Sequence, residues 1–216
     1  MKVVLIAAKQ LALAKTRLTP ALPSVTERSV LAEAMFRDVL SAALSARAAD
    51  VVAVISSDAV LLGLARHAGA LTIDEGFPRG LNLAVRIATE ELIRAGATMV
   101  CTILSDIPMV AGEDIDAAFA AMPARNPGVV LVPSLDFSGT NMIVRAPADI
   151  IATKFGRFSL VRHLDDCRAQ NLHCEVLRLT RPAIDLDLPA DLIEFVSTPT
   201  MTHTFSHLAR LGMAHG

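Results

Sequence analysis

Short apolar runs alternate with longer amphipathic ones along most of the chain. Val3–Ala8, Val51–Ile55, Ala70–Ile73, Met99–Leu104 and Val129–Pro133 are largely apolar without a polar face. That is the pattern of strands buried on both sides. The segments between them carry helical signals. Ser24-Val-Thr-Glu27 has capping-box spacing and opens a stretch to about Ala48, in which Leu31, Met35, Val39 and Leu40 recur at helical intervals. Asp58 is placed to cap a helix ending near His67, with Gly69 as its stop. Leu81–Ala95 and Glu113–Met122 read as further helices, and Ser159 as the cap of one running through Gln170. Asp74–Gly80 is an irregular loop. Thr140–Val144 returns antiparallel after the turn Ser134–Gly139, and Pro147 ends it. Glu175–Leu179 is a strand, Ala183–Leu188 is extended, and Pro189 opens a short helix.

Strands alternating with helices predict an α/β fold, a mostly parallel mixed sheet with helices on both faces. No internal repeat or linker interrupts it. The chain therefore reads as one domain over 1–197, with a tail over 198–216 that packs on the domain or on a partner subunit, as in a homodimer.

Composition narrows the function. At 216 residues and 53% apolar the chain can bury a sizeable core, yet no run reaches the ~20 residues of a membrane span. The first strand follows Met1-Lys2 with no signal-peptide pattern, so the expected location is the cytoplasm. A net charge of −2 and the absence of Trp and Tyr argue against a nucleic-acid partner. Cys101, Cys167 and Cys174 form no close pair and read as buried thiols.

The candidate chemistry collects at strand ends. Lys9, Lys15 and Arg17 follow the first strand, at the sheet edge where ligands of open α/β sheets settle. Asp106 follows the strand Met99–Leu104 at the same edge. It suits a metal ligand or a turn opener before Pro108. In Asp185-Leu-Asp187 the two carboxylates point the same way along an extended chain, with Leu186 turned to the core. Two like charges held together call for a cation between them, and Mg²⁺ is usually held by a few carboxylates plus substrate phosphates. The alternative is that Asp187 caps the helix opened by Pro189. Three acids facing three bases suit phosphoryl or nucleotidyl transfer. No GxxxxGK[ST] loop is present, and no GxGxxG follows the first strand.

These pieces resemble the guanylyltransferases of coenzyme F420 biosynthesis, the CofC-like and FbiD-like group. The resemblance rests on Lys9 with Ala14-Lys15-Thr16-Arg17-Leu18-Thr-Pro20, then Arg37-Asp38-Val39-Leu40, Gly80-Leu81-Asn82 and Ser105-Asp106-Ile-Pro108. It continues through Gly139-Thr140, Phe155-Gly156 with Ser159 and His163, and Asp185-Leu-Asp187-Leu-Pro189-Ala-Asp191-Leu192. It implies a single-domain Rossmann-like nucleotidyltransferase of the GT-A type, related to the enzyme that guanylylates molybdopterin. The implied reaction moves GMP from GTP to the phosphate of 2-phospho-L-lactate, phosphoenolpyruvate or 3-phospho-D-glycerate, with release of pyrophosphate. Carried over by position, Asp106, Asp185 and Asp187 would hold Mg²⁺, and Lys9, Lys15 and Arg17 would contact the triphosphate. Ala8, Gly80 and Asn82 would lie by the nucleotide, and Thr140, Gly156 and Ser159 would hold the acid. The chain departs from the family where Ser138-Gly-Thr-Asn141 stands for GTGT, and where Ser105 precedes the Asp. The competing readings are another nucleotidyltransferase of the molybdopterin type and a non-catalytic nucleotide-binding protein.

Overall fold

The structure, a computed structural model, describes residues 1–124 and 127–213. The chain runs β1 (Lys2–Ala7), α1 (Val25–Ser45), β2 (Val51–Ser56), α2 (Ala59–His67), β3 (Leu71–Asp74), α3 (Leu81–Arg94) and β4 (Met99–Leu104). Then follow α4 (Gly112–Ala120), β5 (Gly128–Pro133), β6 (Thr140–Ala146), α5 (Ser159–Ala169), β7 (His173–Val176), α6 (Pro189–Val196) and α7 (His203–Arg210). Two single 3-10 turns, Leu11–Leu13 and Thr16–Leu18, lie between β1 and α1.

The sheet has seven strands in the order β3-β2-β1-β4-β6-β5-β7. Only β6 runs against its neighbours; the β1–β2, β1–β4, β2–β3 and β5–β7 pairs are parallel. This is the mostly parallel mixed sheet expected from the alternation of elements. Its apolar residues divide by parity as a two-sided sheet requires. Val4, Ile6 and Cys101 pack under α1, α2 and α4, while Val3, Leu5 and Val100 pack under α3 and the 148–167 region. Strand order reverses between β1 and β4, and in such sheets the crevice opens there, beyond the strands' carboxyl ends.

A third apolar cluster supports that edge from one side. Leu18, Leu22, Leu31, Met35, Leu186, Leu192, Phe195 and Leu208 join the 3-10 turn, α1, α6 and α7. The tail is fastened to it through Asp38 on α1. Its carboxylate accepts from His203 N (2.7 Å), Thr204 N (2.9 Å) and Thr204 Oγ1 (2.6 Å). A carboxylate at those free amides also favours the start of α7. The final part of the predicted tail, residues 214–216, lies outside the described residues.

Two local expectations need correcting, and one alternative is set aside. Ser159 does not cap α5; Phe158 flanks the helix in a left-handed conformation (φ 58°), and the Ser159 hydroxyl turns to β6. The last strand is His173–Val176, ahead of the predicted Glu175–Leu179, because its register is set by pairing Gly128–Leu131 with His173–Val176. Asp187 does not cap α6. Asp191 does, accepting from Asp187 N (2.8 Å) and Leu188 N (2.6 Å).

Candidate active site

Register brings the charged residues together. Ala7 of β1 lies beside Leu104 of β4, so the chain leaves both strands at one level and carries Lys9 and Asp106 into the same crevice. Because β6 is antiparallel to β4, with Met142 opposite Ile103, its first residues Thr140 and Asn141 reach that edge too. The Asp185–Asp187 segment arrives from far along the chain. A backbone bond from Leu186 N to the Asp106 carbonyl (3.1 Å) pins it there. Leu186 is fully buried, so the alternation predicted from sequence holds, and the flanking carboxylates face the crevice.

Lys15 stands at the centre. Its Nζ donates to Asp106 Oδ2 and to Asp187 Oδ1, each at 2.8 Å. The residue is held in a left-handed conformation (φ 55°, ψ 33°), a strained backbone of the sort that persists where surroundings impose it. Burial alone would lower the Lys15 pKa, but Asp106 and Asp187 outweigh it and raise it above the ordinary lysine value. Burial likewise opposes charge on Asp187, yet Lys15, then Arg17 and Lys9, hold its carboxyl below the usual range. Arg17 Nη1 lies 3.7 Å from Asp187 Oδ2 on a largely exposed side chain. Lys9 lines the same crevice.

Asp185 sits apart from that bridge. Burial, followed by the charge on Asp106, pushes its carboxyl up to about 6, opposed by a bond from Asn141. Asn141 is a residue whose role the sequence concealed. Its buried Nδ2 reaches the carbonyls of Pro182 (3.0 Å) and Ala183 (3.2 Å) and Asp185 Oδ1 (3.4 Å), fastening the acidic segment to β6.

The predicted metal triad therefore differs from what is assembled. Among the described residues no three His, Cys, Asp or Glu side chains converge as a metal site, and the cation bridging Asp106 and Asp187 is Lys15. Three carboxylates at one point repel unless a cation compensates them, and Lys15 supplies that charge to two of them. The donor chemistry nonetheless suits a hard divalent ion. Asp106 Oδ1 is buried without a partner, and the raised Asp185 pKa marks a carboxylate short of positive charge.

A groove of about 1090 Å³ opens over these residues. Lys9, Lys15, Arg17, Asp106, Asp185 and Asp187 line it together with Thr140, Gly156 and Ser159; the Lys15 bonds tie the first set and the Thr140–Ser159 bond the second. Gly156 has φ +114°, which a side chain would strain. Asn82, Ala8 and Gly80 are the residues expected by the nucleotide. Asn82 Nδ2 donates to the Phe155 carbonyl (3.1 Å) and its Oδ1 accepts from Phe155 N (2.7 Å). Both ends of its amide are thus engaged, and it buttresses the Gly156 loop. Ala8 is buried and its N–H is paired with the Ile55 carbonyl (3.0 Å). Gly80 flanks the start of α3 at φ +89°.

The chain is similar to known proteins. The chain is 36% identical over 186 residues to a phosphoenolpyruvate guanylyltransferase of Sphaerobacter thermophilus, covering 86% of this chain and 88% of the relative. It is 34% identical over 204 residues to a 3-phospho-D-glycerate guanylyltransferase of Phenylobacterium zucineum, covering 92% and 91%. A crystal structure from Desulfovibrio desulfuricans G20, assigned as a nucleotide-diphospho-sugar transferase, superposes with a TM-score of 0.77 at 17% identity. It covers 98% of this chain and 95% of its own, and shows the shared Rossmann-like GT-A fold. The guanylyl transferase CofC-like family matches residues 1–215. The chain belongs to that family and is a guanylyltransferase, a member of the nucleotidyltransferases.

Proposed function

We propose that the chain transfers GMP from GTP to the phosphate of a small three-carbon acid, a step of coenzyme F420 biosynthesis. The observation that carries this reading is the pairing inside one groove: a cation–carboxylate centre at Lys15 and a donor-lined pocket at Thr140 and Ser159. A triphosphate suits the first and the carboxylate end of a small acid the second. The acceptor's phosphate oxygen forms a new bond to the α-phosphorus, the α–β bridging P–O bond breaks, and pyrophosphate leaves with that electron pair.

The protein's contribution is positioning and charge. Lys15, Lys9 and Arg17 stabilise negative charge accumulating on the leaving group, the effect expected of preorganised cations in a partly dry site. Asp106, Asp185 and Asp187 would hold Mg²⁺, which supplies charge neutralisation on the triphosphate when bound. Asn82 and Asn141 keep the two sets of groove residues in register. The acids named for the relatives, phosphoenolpyruvate and 3-phospho-D-glycerate, are candidate acceptors, with 2-phospho-L-lactate the third.

The test is pyrophosphate release from GTP and Mg²⁺ with each of the three acids offered singly. One acid should support turnover that is absent without it. Silence with all three, under conditions where the protein binds GTP, would refute the assignment of the acceptor class. A thermal-shift comparison of GTP, CTP, UTP and ATP tests the nucleotide, and equal shifts would count against GTP.

A further inference from the structure

His163 lies on α5 behind the Thr140–Ser159 part of the groove, fully buried and edge-on to Phe155, with centroids 5.8 Å apart. Packing alone would explain an apolar ring there, but both ring nitrogens are engaged in a directed way. The Lys154 N–H donates to His163 Nε2 at 2.8 Å. A backbone amide can only donate, so Nε2 carries no proton and the ring proton of the neutral imidazole sits on Nδ1. Nδ1 is 3.1 Å from Thr140 Oγ1, so the imidazole donates and the threonine hydroxyl accepts. The Thr140 N–H in turn donates to Ser159 Oγ at 2.8 Å.

The consequence concerns the hydroxyl protons. With a lone pair of each oxygen receiving a fixed N–H, Thr140 and Ser159 must turn their own O–H groups elsewhere. Among the described residues neither hydroxyl donates to a protein acceptor, and both residues line the groove. We infer that His163 is a positioning residue that fixes the Thr140 hydroxyl as a donor toward the groove, so that this part of the site is read by an oxyanion, the carboxylate of the acceptor acid. This inference rests on the proposed transfer to a three-carbon acid and extends it to a residue that does not touch substrate. Each hydroxyl keeps one lone pair besides its free O–H, so the subsite favours an oxyanion by the two donors it offers and not by excluding every ligand O–H or N–H.

Two substitutions separate positioning from packing. Asn places its amide nitrogen near the Nδ1 position, whereas Gln places its carbonyl near the Nε2 position. His163→Asn therefore keeps a donor for Thr140, and His163→Gln keeps an acceptor for Lys154. Steady-state kinetics should show KM for the acid raised about tenfold in His163→Gln, the worth of one hydrogen bond. KM for GTP and kcat should stay within about twofold. His163→Asn should hold the acid KM near wild type even where it lowers the melting temperature. Thr140→Val should raise the acid KM by itself, and adding His163→Gln to it should change nothing further. Equal effects of Asn and Gln, or a Gln effect that multiplies fully onto Thr140→Val, would overturn the inference.

The tautomer can be read without turnover. Nitrogen-15 shifts of the wild-type imidazole should show a protonated Nδ1, and a protonated Nε2 would overturn the inference even if no variant folds. If the wild-type protein releases no pyrophosphate with any of the acids, the acceptor assignment fails by itself, and the tautomer result still stands or falls separately.

Discussion

Replacing Lys15 by Met keeps the length of the side chain and removes its charge. The Lys15 side chain is 6% exposed, while those of Asp106 and Asp187 are 25% and 39% exposed. Breaking a fully buried ion pair by deleting one partner costs about 3–5 kcal/mol, because a charge is stranded. Here two carboxylates lose one shared cation, but water reaches both and reduces the penalty, so about 2–3 kcal/mol is expected. For a domain of this size each kcal/mol moves the melting temperature by about 2–4 °C, which predicts a fall of roughly 5–10 °C. Met fills the volume, so a cavity contributes little. The assay is thermal and urea unfolding at pH 7.5 with chelator present, run on wild type, Lys15→Met, Asp187→Asn and the double variant. Since the two residues touch, the double variant should be more stable than the sum of the single losses implies. Turnover of Lys15→Met should fall by about 10²–10³, as for removal of a preorganised charge at a reacting centre. Strict additivity in the cycle, or an unchanged melting temperature, would refute the idea that Lys15 compensates the carboxylates.

The remaining predictions address the supports of the site and its response to pH. Asp38→Ala should release α7, costing about 1–2 kcal/mol for a lost cap and exposing the amides of 203–210 to hydrogen exchange; unaltered protection there would show that apolar packing alone holds the tail. Asp191→Ala should lower kcat/KM by tenfold or more, since small misplacements of reacting groups are costly, and Asp191→Asn should recover part of the loss. Burial, reinforced by Arg145 and opposed by Asp166, with smaller contributions from Lys154 and Arg162, lowers the His163 pKa from 6.5 to about 4. Between those values the unfolded chain takes up a proton that the native ring refuses, so stability is complete above about pH 6.5 and is lost as pH falls toward 4. The full effect is roughly 3 kcal/mol for the 6.5 − 4 = 2.5 pKa interval. It should appear as a difference in urea midpoint slope between wild type and His163→Gln, and parallel curves would remove His163 as its source.

What the sequence disclosed followed from local pattern. Strands buried on both faces announce themselves as apolar runs, so β1, β2 and β4 were legible, and with them the edge where Lys9, Lys15, Arg17 and Asp106 gather. Leu186 between two aspartates disclosed its alternation because a strand has a period of two. The cap of α6 was not marked in this way: Leu188 has no side-chain acceptor, so no capping box announced Asp191 as the residue that receives the Asp187 and Leu188 N–H groups. What stayed hidden depends on register between distant segments. Nothing within Asn82, Asn141, Ser159 or Asp38 distinguishes a surface polar residue from one whose hydrogen bonds cross 73, 44, 19 or 165 positions.

The same distinction explains why the charges were found but their partners were not. Opposite charges at one sheet edge are predictable from topology, whereas the choice between a metal ion and Lys15 as the bridge is decided by distances of an ångström. That choice has a chemical meaning. A lysine seated between two carboxylates compensates their charge and orients them while substrate is absent, a preorganisation paid for by a strained backbone at Lys15. An arriving triphosphate would bring four-fold negative charge and compete for the same ammonium; were the lysine to turn to phosphate, Asp106 and Asp187 would be free to hold a divalent ion. Binding of nucleotide and of Mg²⁺ should then be mutually dependent, each tightening the other by the same factor. Calorimetric titration of GTP with and without Mg²⁺, in wild type and in Asp187→Asn, measures that factor. Independent binding in the wild-type protein would mean that Lys15 does not exchange partners.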